Sequence, residues 1–259
     1  MSKQRLTDAM ESTDAETRMW KSRFTAARGA YATGNFKQGE DLLAQALEQG
    51  KHLPEKDFAV NTCLVGQAAN ALALGDMEKA RNKLNEVVRT LSSRSEPALK
   101  ELHAVALRFL AEIASQKQDY DAAEQYLQEA CRLLETVGVA GAVQLAYAMS
   151  DLATVYLKQG DSHDAGELVL SAMELLTTTH QSETTEYERA SLLYNLCHVE
   201  NEKEFLGALE DSIQKMEYRK GSKHPSIVRA VRWLVQVLRE RGEEEKIAEV
   251  EEKFGVKVV

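Results

Sequence analysis

Two short arrangements of reactive side chains are the first candidates for catalysis in this sequence. Ser212 and Lys215 have the SxxK spacing of β-lactamases and penicillin-binding proteins, but the SDN and KTG elements that accompany that motif are absent. Cys197 and His198 are adjacent, and neighbouring residues on a helix point about 100° apart, so they cannot hydrogen-bond as a nucleophile and its base. We therefore expect no catalytic site and interpret the chain as a non-enzyme.

Metal and cofactor motifs are also missing from the sequence. Cys63, Cys131 and Cys197 lie far apart, without CxxC spacing, and no histidines form an HExxH pair. The Gly-rich stretch 138–141 follows a helical pattern rather than a strand, so it predicts a break between helices and not a dinucleotide-binding loop. We expect no metal and no cofactor, and reduced cysteines that pack as small apolar residues.

The composition indicates an all-α protein. Among 259 residues there are 3 prolines and 14 glycines, and alanine, leucine, glutamate and glutamine are abundant. The net charge of −9 disfavours wholesale binding to nucleic acid or to anionic lipid. Residues 1–15 are polar and no run of eighteen apolar residues occurs, so we expect a cytoplasmic protein that does not cross a membrane.

A repeated turn organises the chain. Similar helix-breaking sequences occur near positions 34, 75, 118, 160, 203 and 242, at intervals of 39 to 43 residues. Three of the six carry Gly followed by Asn or Asp, because Gly can take the left-handed conformation that ends one helix and the next side chain can cap the following helix. Such a period predicts stacked helix pairs.

The residues around each turn form helical stripes. Leu107, Leu110, Ala111 and Ala114 precede one turn at helical spacing. After the turns, the second helices repeat apolar or small residues at spacings of three and four, as in Met77, Ala80, Leu84, Val87, Val88 and Leu91. A single pair with one apolar face on each helix cannot bury those faces alone, so the pairs must stack on their neighbours.

The alternation of large and small residues around the turn at 160 resembles the tetratricopeptide repeat (TPR). Leu152, Ala153 and Tyr156 stand before the turn, and Ala165 and Ala172 after it. The period is near 42 residues instead of 34, as in the repeats of kinesin light chains. The resemblance implies that first helices line a concave groove that binds a partner.

The last two repeats carry further features of the kinesin-light-chain type. His224 and Pro225 open a helix with Leu234 nine positions beyond the proline, and Asn195-Leu196-Cys197 resembles an Asn-Leu-Ala element. We predict a right-handed α-solenoid of about six TPR-like helix pairs that forms one domain over residues 16–254. Residues 1–15 are then a polar extension, and residues 255–259 a short tail.

The last repeat holds the strongest candidate for a binding surface. The segment 215–241 contains eight Lys or Arg against two Glu, in a chain that is acidic overall. Helical spacing places the following residues on one side of the last first helix: Arg229, Arg232, Trp233, Gln236 and Arg239. Guanidinium groups can bind a carboxylate through two hydrogen bonds, so this face favours an acidic partner. The alternative is a solvated surface with no bound partner.

Earlier first helices extend the predicted concave face. We assign the following partner-binding positions there: Arg108, Tyr147, Tyr194, Asn195 and His198. Inward aromatic and aliphatic residues favour a partly apolar groove for a helix or an extended peptide: Phe24, Tyr31, Val65, Leu72, Phe109 and Tyr147. The alternative is that several of these side chains only pack between repeats.

The sequence thus predicts a non-catalytic scaffold that binds a protein or peptide partner and is a monomer or a weak homo-oligomer. One alternative is a self-associating module whose tail, residues 256–259, docks on a neighbouring molecule. Another is an RNA-binding helical repeat. The column Arg28, Ala69, Glu112 and Thr154 shows no repeated polar code, which disfavours RNA.

Overall fold

The structure is a computed structural model of the whole chain, and it describes residues 3–182, 184–198, 211, 213–215, 217–218, 228, 231–232, 234–235, 238–239 and 244–256. Every regular element in those ranges is a helix, which confirms the all-α helical-repeat fold. The helices with defined bounds are α1 (Lys3–Ala32), α2 (Phe36–Gly50), α3 (Lys56–Ala73), α4 (Met77–Leu91), α5 (Pro97–Gln116), α6 (Tyr120–Val137), α7 (Ala142–Gln159), α8 (Ser162–Thr178), α9 (Thr185–His198) and α10 (Glu244–Phe254).

The first four predicted turns separate the helices in pairs. They fall between α1 and α2, α3 and α4, α5 and α6, and α7 and α8, as the 42-residue period requires. The predicted turns at 203 and 242 lie outside the described residues. The stretch Gly138–Gly141 forms one turn of 3-10 helix between α6 and α7, which confirms the predicted break there.

The turn chemistry follows the prediction with one exception. Gly34, Gly75 and Gly160 take positive φ angles of 74°, 81° and 90°, and Gln118 takes φ 62° at the equivalent position. The aspartates that follow three of these positions cap the next helix by accepting a backbone N–H bond at 3.0–3.2 Å. Asn35 makes no such cap bond, and its Nδ2 donates to Gln38 Oε1 at 2.8 Å.

Contacts divide the chain into two units. Unit 1 comprises residues 1–31 and 35–144, and unit 2 comprises residues 32–34 and 145–259. The core of unit 1 is built by one stripe from each of α3, α4 and α5, including the fully buried Leu84 and Val87. Helix α1 begins at Lys3, so the predicted polar extension 1–15 is helical from that residue onward. The predicted boundary of a single domain stays a prediction.

The second helices bury the residues that the sequence stripes predicted. In unit 1 these include Leu127 and Leu134 of α6, and in unit 2 they include Val169 and Leu176 of α8. Unit 2 also buries four apolar residues of the last repeat: Val231, Leu234, Val235 and Leu238. The 3.6-residue periodicity of the sequence is therefore the packing pattern of the fold.

Polar contacts join each helix pair of unit 1 to the next. Asn70 Nδ2 on α3 donates to the Phe36 carbonyl of α2 at 3.4 Å. Lys79 pairs with Glu40 at 3.0 Å, and Lys117 pairs with Glu78 at 3.1 Å. The hydrogen bond from Lys117 is the main cause that lowers the pKa of Glu78. These exposed ion pairs each contribute little to stability.

One segment bears on the question of membrane crossing. Tyr120–Gln159 is the one stretch in the described ranges that is long and apolar enough to span a membrane by length and composition alone. It comprises α6, the 3-10 turn and α7, and core helices of soluble proteins pass the same test.

The predicted C-terminal tail begins with a buried apolar residue. Val256 is 8% exposed, so the first apolar residue of the tail is covered within unit 2.

Candidate functional site

The geometry of α3 shows which side of a first helix is left open in unit 1. A Cβ atom on Gly66 would lie 2.9 Å from Leu43 Cδ2 of α2 and 3.6 Å from Phe24 Cε2 of α1. Gln67 accepts a bond from Lys83 Nζ of α4 at 2.7 Å. Helix α5 packs on a further side. The sector that remains between the contacts with α1 and α5 carries small and partly exposed side chains: Thr62, Ala69 and Ala73.

The same register continues on the helices either side of α3. Trp20 of α1 meets Phe58 of α3 with ring centroids 6.4 Å apart, which sets α1 beside α3. One repeat back from Thr62 and Ala69 lie Lys21 and Arg28, both exposed. One repeat on from Thr62 and Ala69 lie Val105 and Glu112 of α5, and Glu101 and Arg108 lie one helical turn before them. We call these open sides of α1, α3 and α5 the first-helix strip. It carries the following residues: Lys21, Arg28, Thr62, Ala69, Glu101, Val105, Arg108 and Glu112.

Sequence reasoning identified part of this strip and missed the rest. Arg28, Ala69 and Glu112 were recognised as one column, whereas Lys21 and Glu101 were not assigned to any surface. A spacing of seven residues was the available signal, since residues seven apart on a helix point within about 20° of each other. Lys21 stands seven residues before Arg28, and Thr62 seven before Ala69.

Several residues predicted to line an apolar groove are packed into the core of unit 1. Phe24 stacks on Trp20 with ring centroids 5.6 Å apart, and Val65 is 8% exposed. Leu72 and Phe109 are partly buried against the stripe from α3, α4 and α5. The alternative interpretation, packing between repeats, therefore accounts for these side chains, and the first-helix strip is more polar than the sequence suggested.

The structure describes the predicted partner-binding residues unevenly. Arg108 is half-buried in unit 1, and its Nη1 donates to Gln144 Oε1 at 3.1 Å. Tyr147 on α7 and Tyr194 on α9 are half-buried in unit 2. Helix α9 also contains Asn195 and His198, whose side chains lie outside the described residues.

The basic face of the last repeat is described at two positions. Arg232 and Arg239 are exposed, while Val231 and Leu238 beside them are buried. This opposition of faces agrees with the helical spacing that the sequence predicted. The other predicted members of this face lie outside the described residues: Arg229, Trp233 and Gln236.

Burial perturbs one carboxyl group of the first-helix strip. Glu101 is half-buried on α5, and desolvation raises the pKa of its carboxyl group above the ordinary value of 4.5. Across the described part of the chain Glu101 forms no ion pair, and neither do Lys21 and Arg28 of α1. Their charges are therefore available to a ligand.

Two of the cysteines, Cys63 and Cys197, have the properties of packing residues. Burial raises the pKa of the Cys63 thiol to about 11. Desolvation likewise raises the pKa of Cys197. Both thiols are protonated at neutral pH and are therefore poor nucleophiles. Lys215 of the SxxK match is exposed and pairs with Asp211 at 2.8 Å, while Ser212 lies outside the described residues. No metal-binding cluster occurs in the described ranges.

His103 gives the fold a specific pH dependence. The side chain is 6% exposed, and desolvation lowers its pKa below 6.5, while the nearby Glu129 opposes the shift more weakly. The folded state therefore takes up a proton less readily than the unfolded state, so stability is full above pH 6.5 and is lost as the pH falls through the folded-state pKa. We expect urea unfolding at pH 7.5 and 5.5 to show this loss, and a smaller loss in His103→Gln. Equal losses in both proteins would assign the effect to other groups.

Comparison with known proteins agrees with this arrangement. The family model for the tetratricopeptide repeat matches residues 101–178, which cover most of α5 and all of α6, α7 and α8. A search of curated protein sequences finds no match.

Three solved structures show the fold. The apo form of RapI is similar with a TM-score of 0.71 and 14% identity, over 92% of this chain and 81% of that chain. The Rap conjugation gene regulator of the plasmid pLS20 in complex with the Phr* peptide has a TM-score of 0.76 and 13% identity, over 92% of this chain. Aspartyl phosphate phosphatase F from Bacillus subtilis has a TM-score of 0.73 and 15% identity, over 93% of this chain.

The chain spans 64% and 62% of the length of the last two proteins. At these identities the likeness concerns the fold alone. The spacing of the turns, the buried stripes and the family model agree that residues 101–178 carry tetratricopeptide repeats.

Proposed function

We propose that this chain is a non-catalytic interaction module that binds a peptide segment of a partner protein along the first-helix strip. The observation that carries the proposal is the open sector of α3. Thr62 and Ala69 are partly exposed there, whereas α1, α2, α4 and α5 contact the other sides of α3. Small side chains in that sector leave room for a peptide backbone between the neighbouring first helices.

The similar structures support the same class of ligand. The pLS20 regulator, which shares this fold, is solved with a bound peptide. One of the similar structures is named an aspartyl phosphate phosphatase, but burial raises the pKa of the Cys63 and Cys197 thiols here, which makes both of them poor nucleophiles. Binding without catalysis is thus the function that the described residues support.

An acidic segment near the last repeat is a second part of the proposal. Arg232 and Arg239 are exposed cations on one described face of unit 2. Guanidinium groups bind carboxylates through two parallel hydrogen bonds, so such a face prefers aspartate or glutamate. In a selection from a random peptide library, we expect fewer acid-rich peptides to be enriched on the Arg232→Glu variant than on the unchanged chain.

Selection from a random dodecapeptide phage library on the immobilised full chain tests the proposal. We expect enriched peptides whose affinity for the soluble protein, measured by fluorescence anisotropy, falls about tenfold or more in Ala69→Trp, because the indole fills the open sector of α3. The matched control is Ala44→Trp, at an exposed position on the outer side of α2.

Circular dichroism of both variants shows whether the helical fold is kept. Failure to enrich any peptide would contradict the proposed function. So would enriched peptides that bind Ala69→Trp as tightly as the unchanged protein.

A further inference from the structure

The first-helix strip has opposite charges at its two sides. On α1, Lys21 and Arg28 are exposed, lie seven residues apart on one side of the helix, and form no ion pair in the described part of the chain. On α5, Glu101 is half-buried and likewise unpaired among the described residues. Between them, α3 presents no charged residue on its open sector.

The position of Glu101 makes its charge costly to leave unpaired. Its carboxyl group is partly desolvated in the free protein, and a carboxylate in that environment gains more from a nearby cation than one in bulk water does. An ammonium or guanidinium group of a ligand would restore the lost solvation. Arg108 on the same helix is engaged with Gln144 of α7.

Helix packing sets the separation of the two helices that carry these charges. Adjacent packed helices lie 8–10 Å apart, so α1 and α5, on either side of α3, are separated by roughly 16–20 Å. An extended peptide advances about 3.3 Å per residue and therefore covers that distance in five or six residues. A helical ligand would advance only about 1.5 Å per residue and would need roughly twelve.

We infer that the first-helix strip of unit 1 selects an extended peptide with an acidic side chain over Lys21 and Arg28 and a basic side chain over Glu101, five or six positions apart. The inference rests on the proposed function and specifies its ligand. It differs from the acidic segment proposed for the last repeat, because the unit 1 ligand must carry both signs of charge. Exposed charges contribute modestly, so the pairs set specificity more than affinity.

A charge swap between protein and peptide tests the inference. A peptide enriched by selection on the full chain is synthesised in its original form and with its basic residue replaced by glutamate. We expect Glu101→Lys to weaken the original peptide by about three- to tenfold and to bind the glutamate form more tightly than the unchanged protein does. The matched control is Glu86→Lys, an exposed position on α4, which should leave both affinities unchanged.

The outcomes separate the inference from the proposed function. If enriched peptides lose affinity in Ala69→Trp but lack the paired charges, or do not respond to the swap, the function stands and the charge assignment is wrong. If no peptide is enriched at all, the proposed function fails and the inference fails with it. A restored affinity in the swapped pair cannot come from misfolding of the variant, because a damaged strip would bind neither peptide.

Discussion

Replacing Leu84 with alanine should lower the free energy of unfolding by about 2–5 kcal/mol. Leu84 of α4 is 0% exposed and belongs to the stripe on which α3, α4 and α5 meet. Truncation removes apolar contacts and leaves a cavity, and a closely packed interior closes such a cavity only in part. Urea unfolding followed by far-UV circular dichroism measures the loss.

Leu74 provides the matched control for that substitution. It follows α3 directly and is 65% exposed, so Leu74→Ala removes the same atoms from a solvated position. We expect its effect to stay within about 0.5 kcal/mol. Comparable losses at the two positions would show that the stripe through Leu84 does not hold the helix pairs together.

Replacing Gly66 with valine should destabilise unit 1 by about 1–3 kcal/mol through overpacking. Even a Cβ atom at this position would lie 2.9 Å from Leu43 Cδ2 and 3.3 Å from Leu43 Cδ1. Leu43 is 3% exposed, so it has little room to move aside. Valine is a better helix former than glycine, so a loss of stability identifies the contact between α2 and α3 as its cause.

A double-mutant cycle isolates that contact. Leu43→Ala alone creates a cavity, and Gly66→Val alone creates a clash, but together the added methyl groups occupy part of the vacated space. We expect the combined loss of unfolding free energy to be smaller than the sum of the single losses by more than about 0.5 kcal/mol. Additive losses would mean that the two residues do not share a packed contact.

The helix pairs could be predicted because their determinants are local in sequence. A turn residue in the left-handed conformation and a capping aspartate mark each boundary within two positions, as at Gly75 and Asp76. The buried stripes repeat every three or four residues, so the spacing of Ala80 and Leu84 alone predicts that their side of α4 is buried. The repeat period alone predicts a turn at Gln118, and this residue takes the same left-handed backbone conformation as the glycines.

The binding surface could be predicted only in part because it depends on packing between repeats. The sequence does not show that Phe24 turns toward Trp20, or that Gly66 lets α2 approach α3 closely. Those contacts remove aromatic residues from the predicted groove and leave Thr62 and Ala69 as its floor. Asn35 illustrates the same limit, since its side chain binds Gln38 instead of capping α2.

Site-specific photo-crosslinking tests the central claim, that a peptide binds the open sides of the first helices. A benzophenone amino acid is placed at Thr62 on the first-helix strip or at Asn82, an exposed position on α4. With a labelled peptide recovered by selection, we predict a crosslink from position 62 and none from position 82. A crosslink from position 82 alone, or from both positions equally, would contradict the account.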